Sequence, residues 1–537
     1  MTGSAVAAAF ELLERSARKR VQALRGRKAR VTVQVGHCSR SVGAVRVADK
    51  LAASLPDTAY LAIAGCDGAC FDAPQVLVTD LSGRTRRYAR VTPESAGRIV
   101  DELSGDASSG EDPVSSFLSG QRRITLDGCG RLAATDIDEY LVHGGYAGLA
   151  RALRMTPEEI IEEVKASGLR GRGGAYFPAS AKWESARATN RSPRYLVVNA
   201  EEGEPGIFKD RHLMEGMAHR VLEGMIVAAY ASGAEKAFLY INAEPDLSSR
   251  RMREAIDQAN SHGILGSDIL GSGFGLEVEI RRGAGGYICG EETTLLSTIE
   301  GYRREPRLRP PFPTESGLWA RPTVINNPET LAGVTYIMAN GAQGFAGIGT
   351  DTDKGTKIVS ISGSVRRPGI VEVPMGTTLR HIVADLGQGP LPGHELIALA
   401  VGGPSSGVLP PSMLDTPIRG GLLHEPGVML GAGGVIVLDD RIGIPEVIRK
   451  LAAYNAAESC GKCTPCREGT PRMVEALDRL STDRTPDADL DDLRYLVQIV
   501  GPASLCGLGQ AAGNPITSAL HFFGDEVFSQ ARAPTPR

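Results

Sequence analysis

Three cysteines recur at intervals of three in "ESCGKCTPCREGT", residues 458–470, and a fourth stands downstream in "SLCGLG" at Cys506. No other feature of the chain limits its fold so tightly, because four soft thiolates together hold either zinc or an iron-sulfur cluster. Zinc ribbons pair two separate Cys-x-x-Cys hooks. A single Cys460, Cys463, Cys466 turn instead grips three corners of a cubane and leaves the fourth to Cys506. The spacing favours a 4Fe-4S cluster; structural zinc and buried cysteines of no chemical role are the alternatives. Lys462 and Arg467 lie beside the ligands, where they would offset the negative charge of a four-thiolate centre. From Ile444 on the apolar spacing is helical, so the centre belongs to a C-terminal helical bundle at 441–537.

The other cysteines are Cys38, Cys66 and Cys70 near the start, with Cys129 and Cys289 alone. Such clustering argues for metal rather than disulfides and for a reducing compartment. At 537 residues the chain exceeds one core, and 42% hydrophobic with 23% charged residues is ordinary for a multidomain globular protein. A net charge of -4, with basic residues scattered, excludes a nucleic-acid role. Residues 1–30 read as an amphipathic helix with Phe10, Leu12, Leu13 and Val21 on one side. The apolar run there is too short for a signal peptide, and Glu11 and Glu14 count against an arginine-rich transit peptide. No run of about 18 apolar residues exists to span a bilayer, so a cytoplasmic location is expected.

Residues 31–104 alternate short apolar runs with helical stretches, a small α/β domain. Residues 105–119, within the polar, aperiodic stretch "SGDASSGEDPVSS" and beyond, read as a linker. A larger α/β unit follows at 120–350. Its first clear helix opens at Thr156, with Pro157 at the first helical position and Glu159 completing a capping box, and stops at Gly168. The strand "RYLVVN", one long helix from about Leu213 to Ala231 closed by Gly233, and the strand "AFLYIN" come next. Residues 356–437 form a compact β-rich domain with one short helix.

Two glycine loops and one strand end invite a ligand. "GLRGRGGAYFPASAKWE" follows a helix rather than a strand and so fails the dinucleotide fingerprint, but Gly171, Gly173 and Gly174 allow close approach, with Arg172 and Lys182 as cations. "RRGAGGYICGEET" sets Gly283, Gly285, Gly286 and Gly290 before a helix whose start would suit phosphate; Glu291 and Glu292 there serve either a ligand or the helix dipole. "RYLVVN" runs into "AEEGEPG", gathering Asn199, Glu201, Glu202 and Glu204 at a strand's carboxyl end. In "VINNPETL", Asn327 is a natural N-cap, which leaves Asn326 freer for a ligand.

Taken in order, these motifs, with "RLRPPFPTESGLW", resemble the flavin-carrying NADH-dehydrogenase subunit of respiratory complex I and the homologous diaphorase subunits of NAD-dependent hydrogenases and formate dehydrogenases. The likeness runs from about residue 130 to the C-terminus; the N-terminal domain is similar to thioredoxin-like ferredoxins. The resemblance implies a multidomain α/β fold: a thioredoxin-like domain, a Rossmann-like FMN-binding domain, a β-grasp domain and a helical iron-sulfur domain. It implies FMN contacts from Gly171, Arg172, Gly173, Gly174, Lys182, Asn199, Glu201, Tyr287, Gly290, Glu291, Asn326 and Asn327. It places NADH near Phe177, Glu204, Glu292, Arg309 and Phe312, with Glu204 positioning the nicotinamide and Phe177 and Phe312 apt for stacking on adenine. Tyr176 stands where the family usually has glycine and Ser185 where an aromatic is common, which reshapes the adenine side. Glu292 near the adenosine ribose would repel a 2'-phosphate and favour NADH over NADPH.

The implied function is NADH:acceptor oxidoreduction, hydride passing between NAD(H) and FMN and single electrons between FMN and the 4Fe-4S cluster. The implied partners are a ferredoxin-like small subunit and a large iron-sulfur or catalytic subunit, through which the chain could lie peripheral to a membrane. A cofactor-depleted scaffold or a zinc-binding subunit is the other reading. In the N-terminal domain the family's 2Fe-2S pattern retains Cys38, Cys66 and Cys70 but has Val33 at the first position, so His37, Ser39, Ser41 or a partner's side chain would supply the fourth ligand.

Overall fold

The computed structural model describes residues 2–26, 28–104, 113–283, 285–482 and 486–529. The opening helix Thr2–Arg25 buries Val6, Ala17 and Val21 and packs Phe10 and Leu13 against the largest core, while Leu12 faces outward at 63% exposure, against expectation. Leu12 precedes Leu13 by about 100° of helical turn, which carries it off the buried stripe. Arg20 ties the helix to Asp138 of the next unit at 2.5 Å.

Residues 29–88 make a four-stranded sheet in the order Ala59–Ala64, Ala29–Gln34, Val76–Thr79, Thr85–Tyr88; the first pair is parallel and the others antiparallel. Helices Ala44–Ser54 and Ala96–Asp101 complete its core. Residues 105–112 of the expected linker lie outside the described residues. Residues Pro113–Ser119 form a helix instead of linker, because Val114 and Phe117 are buried in the core of the β-rich domain.

The second sheet is wholly parallel, in the order Glu277–Arg282, Lys236–Ile241, Tyr195–Ala200, Thr323–Asn326. Its flanking helix Pro157–Ala166 has the expected capping box, with Thr156 and Glu159 each accepting the other's backbone N–H. The long helix expected near 213–231 is two helices, Lys209–Gly216 and Ala218–Ser232, broken at Met217 (φ -139°) and closed by left-handed Gly233. Apolar residues continue across the break, so periodicity did not reveal it. The second of these helices is buried on nearly every side and lies at the centre of the largest core.

A third, mixed sheet runs Gly369–Pro374, Thr356–Gly363, Gly434–Asp439, Leu396–Val401, Gly407–Leu409, with one short helix at His381–Leu386. Helices Ile444–Ala457, Thr464–Thr482, Pro486–Ala503, Gly507–Ala511 and Asn514–Phe523 follow and pack around a core that also takes in Ala400 and Val408 of the third sheet.

A candidate flavin and iron-sulfur site

Tyr195–Ala200 lies at the switch point of the parallel sheet: Lys236–Ile241 is added on one side of it and Thr323–Asn326 on the other. A crevice must open there, beyond the strands' carboxyl ends. Both glycine loops fold over it, one before helix Ala179–Arg187 and one before helix Glu292–Ile299. Together they enclose a cavity of about 910 Å³, a size suited to a cofactor with a substrate beside it.

Of the expected FMN residues, Gly171, Gly173, Gly174, Lys182, Asn199, Glu201, Tyr287, Gly290, Glu291, Asn326 and Asn327 all line this cavity. So do Phe177, Glu204, Glu292, Arg309 and Phe312. Arg172 does not. Its buried guanidinium donates to the carbonyls of Thr356 (2.9 Å), Arg170 (3.1 Å) and Lys354 (2.6 Å), pinning the glycine loop to the third sheet. Its charge suggested a ligand contact, but three converging carbonyls satisfy it first.

Two further expectations change. The N–H groups at the start of helix Glu292–Ile299 are not open to phosphate, because the Glu291 carboxylate accepts those of Thr293 (2.9 Å) and Thr294 (2.8 Å). Asn326 is held at one end, its Oδ1 accepting the Trp183 indole N–H at 2.9 Å, while the residue still lines the cavity. Asn327 is the N-cap, accepting from Glu329 at 3.0 Å. Wall residues that sequence reasoning missed come from the other domains: Ser405, Met429 and Gly431 from loops and a small hairpin of the β-rich domain, and Gly507, Leu508 and Ala511 from the C-terminal helices. Only "SLCGLG", chosen for its thiol, hinted at any of them.

Tyr176 takes a left-handed φ of 52°, which explains why glycine is usual there. Its buried ring packs into the third sheet's core and its hydroxyl donates to Gly431 O at 3.1 Å. Ser185 hydrogen-bonds Thr314 at 2.9 Å on the cavity wall, where an aromatic would have filled space. Phe177 and Phe312 are each about half exposed, 53% and 52%, so they line the cavity as open rings rather than as core.

The acids cluster as the strand end required. Burial pushes Glu201 up to about 7 against a hydrogen bond from Asn242. Burial and the Asp210 charge do the same to Glu202, whose carboxylate caps helix Lys209–Gly216 by accepting from Asp210 N (2.7 Å) and Arg211 N (3.0 Å). Glu204 is raised by burial to about 7 while accepting the Tyr287 hydroxyl at 2.9 Å. Glu292 differs. Burial would raise it, but Lys182 at 3.2 Å and Arg309 at 2.6 Å outweigh that and hold it below the ordinary carboxylate range.

The walls fit FMN. Glu201 Oε2 is a buried acceptor without a partner among the described residues, which a ring or ribityl donor would satisfy. Gly174, at φ 116°, lets its loop pass so close to Gly431 that a Cβ would sit 3.3 Å from that residue's carbonyl carbon.

Cys460, Cys463, Cys466 and Cys506 share one apolar cluster with Ile288, Leu295 and Leu508. Cys466 and Cys506 are buried, the other two half-buried. Cys506 is the N-cap of helix Gly507–Ala511. Burial pushes its thiol up to about 11, against the Leu508 and Gly509 N–H groups directed at the sulfur. Such donors suit a cluster's thiolates. Lys462 donates to Pro306 O (2.7 Å) and pairs with Glu305, and Arg467 donates to Gly461 O (2.8 Å), so both cations stay beside the centre through these contacts.

In the N-terminal domain Cys70 lies next to both Cys38 and Cys66, and these neighbours, with burial, raise its thiol well above the ordinary range while Cys70 draws Cys38 down to about 6. Val33 is fully buried in its strand. Ser39 is removed as a fourth ligand, since its hydroxyl accepts Gly36 N–H (2.8 Å) and lies 3.2 Å from Gln34 O. His37 remains beside the trio, its backbone N–H donating to Glu215 at 2.7 Å.

Three family models match the chain: the Nuo51 FMN-binding domain over residues 164–336, the SLBB domain over 358–409, and the NADH-ubiquinone oxidoreductase-F iron-sulfur binding region over 446–530. The NADP-reducing hydrogenase subunit HndC of Solidesulfovibrio fructosivorans is 44% identical over 76% of this chain and 83% of its own. An NADH-quinone oxidoreductase subunit of Rhizobium meliloti is 46% identical over 73% of this chain and 93% of its own. An air-oxidized NAD+-reducing [NiFe]-hydrogenase structure superposes with a TM-score of 0.67 at 29% identity, over 95% of this chain and 86% of that one. The glycine loops, the cysteine centre and these matches agree, and the chain belongs to the NADH-quinone oxidoreductase-F family, which includes the related hydrogenase diaphorase subunits.

Proposed function

We propose that the cavity holds FMN with NADH stacked beside it, and that Cys460, Cys463, Cys466 and Cys506 hold the 4Fe-4S cluster that takes the electrons away. The observation that carries this is the shared wall. Helix Gly507–Ala511 lines the cavity through Gly507, Leu508 and Ala511 and is capped by the cluster ligand Cys506, so the two centres are separated by a single turn of chain. When bound, FMN accepts a hydride from NADH and releases electrons one at a time. The chain's residues position and exclude water. Phe177 and Phe312 offer open faces to adenine, and Lys182 and Arg309 offer charge to the nucleotide's phosphates. Tyr287, bonded to Glu204 at 2.9 Å and to Ser405 at 3.1 Å, fixes the carboxyl that orients the nicotinamide. Asn199, held to Gly290 O at 2.8 Å, joins the two cofactor loops.

Cys38, Cys66 and Cys70 are proposed as a 2Fe-2S site with His37 as its fourth ligand, supported by the position of Cys70 next to both Cys38 and Cys66. Homologues are subunits of larger complexes, and no helix among the described residues is long and apolar enough to cross a membrane. We infer a cytoplasmic subunit, joined to any membrane through iron-sulfur partners; the nine free cysteines support that compartment. Anaerobic mixing of the purified full chain with NADH tests the reading. The flavin band should bleach first and a reduced cluster spectrum follow; a colourless protein without iron would refute it.

A further inference from the structure

Beneath the cavity lies a set of buried charges that neither hydride transfer nor cluster binding requires. Lys209 and Lys357 have fully buried side chains, and those of Glu329 and Asp210 are 2% and 5% exposed. They form one chain. Lys357 Nζ meets Glu329 Oε2 at 2.5 Å, Lys209 Nζ meets the same oxygen at 2.9 Å, and Lys209 also donates to Asp210 Oδ1 at 2.7 Å. Asp210 Oδ2 accepts from Asn327 Nδ2 at 2.7 Å, and Asn327 Oδ1 accepts from Lys209 at 3.3 Å. Asp210 and Asn327 both line the cavity, while Lys357 comes from the third sheet.

Burying four charges is no efficient way to join two domains. Apolar residues of similar volume do that as well or better, because the desolvation of each ion offsets most of the attraction. A buried charge set touching a cofactor cavity instead projects a field into it through a medium of low dielectric. We propose that the chain Asn327–Asp210–Lys209–Glu329–Lys357 positions charge under the flavin and sets how strongly the protein prefers its reduced, more negative form. The proposal rests on the cavity holding FMN. Lys209 is the central member and Asn327 transmits its orientation to the cavity wall; none of the four charged residues need touch the reacting atoms, so they are positioning residues.

The sign of the field makes this testable. Burial and the neighbouring Lys209 charge depress Lys357 to about 7, so at about pH 6, where it is protonated, Lys357→Met removes a positive charge while keeping an unbranched chain and should lower the flavin midpoint potential. Asp210→Asn removes a negative charge, keeps an oxygen to accept from Lys209 and gives up the acceptor that Asn327 Nδ2 uses, and should raise it. Spectroelectrochemical titration of the full-length holoprotein should show shifts of opposite sign, each on the order of tenfold in the ratio of FMN affinities for the reduced and oxidised states, with the 4Fe-4S potential unmoved. A purely structural junction predicts lower unfolding midpoints in both variants with an unchanged flavin potential, and that result would overturn the proposal. Shifts of the same sign would overturn it too. If the unaltered protein binds no FMN, the functional reading itself fails; if it binds FMN and the variants leave its potential fixed, only this inference does.

Discussion

Glu204 is half-buried, bonded to Tyr287, and titrates at about 7 instead of 4.5 because burial disfavours its charge. A raised carboxyl pKa means that the native state keeps a proton the unfolded chain has lost, so this group's contribution to stability falls as pH rises from about 4.5 to 7 and is level above. Glu204→Gln removes that drift. The apoprotein variant should be more stable than the parent at pH 8 by about 3 kcal/mol and equal to it below about pH 4.5; urea unfolding at a series of pH values measures this, and an advantage independent of pH would show that Glu204 ionises normally. Glu292 carries a second prediction. It was expected to repel a 2'-phosphate, but Lys182 and Arg309 already neutralise it, so the repulsion is weaker than one free charge would give. Glu292→Gln leaves two cations without their carboxylate, and KM for NADPH should fall roughly tenfold with little change for NADH. A constant ratio of the two constants would remove Glu292 from nucleotide choice.

The N-terminal sheet meets helix Lys209–Gly216 backbone to backbone. A Cβ on Gly65 would lie 2.3 Å from Gly216 Cα, closer than any side chain can stand. Gly65→Ala should therefore cost about 1 to 3 kcal/mol by forcing the Cys66 loop off the helix. Gly97→Ala is the control: it lies in a helix with nothing within 4 Å and should stabilise by up to about 1 kcal/mol. Denaturant melts of the two variants decide. Elements with local signals were legible in sequence: the Thr156 capping box, the left-handed stop at Gly233 and the Cys-x-x-Cys-x-x-Cys turn each depend on neighbours a few residues apart. What was not legible depends on distant chain. The break at Met217, the helix at Pro113–Ser119 and the diversion of Arg172 to Thr356 O arise from packing against residues far away in sequence. For the same reason the contributions of Ser405 and Gly431 to the cavity had no local mark.

At the scale of the molecule the order of centres runs from the open rings of Phe177 and Phe312, through the cavity, to the cysteine helices. Cys463→Ala should leave NADH able to bleach the flavin while abolishing transfer to the physiological acceptor; normal transfer by that variant would place the exit elsewhere. The N-terminal sheet packs on the domain of the parallel sheet, held by Arg30 on Glu139 and by Arg251 on Val35 O at 2.8 Å. The full chain, reconstituted with iron and sulfide, should show a 2Fe-2S resonance that Cys66→Ala erases. That seat also hides His212, which burial and the nearby Arg123 charge depress to about 3. A histidine so placed carries no proton while the sheet is docked, yet would take one up near pH 6.5 once water reached it. Docking is thereby linked to hydrogen-ion concentration: below about pH 6.5 each unit of acid should weaken the grip on the N-terminal sheet by up to tenfold, so mild acid alone could loosen this end of the chain without touching the thiols that mark it.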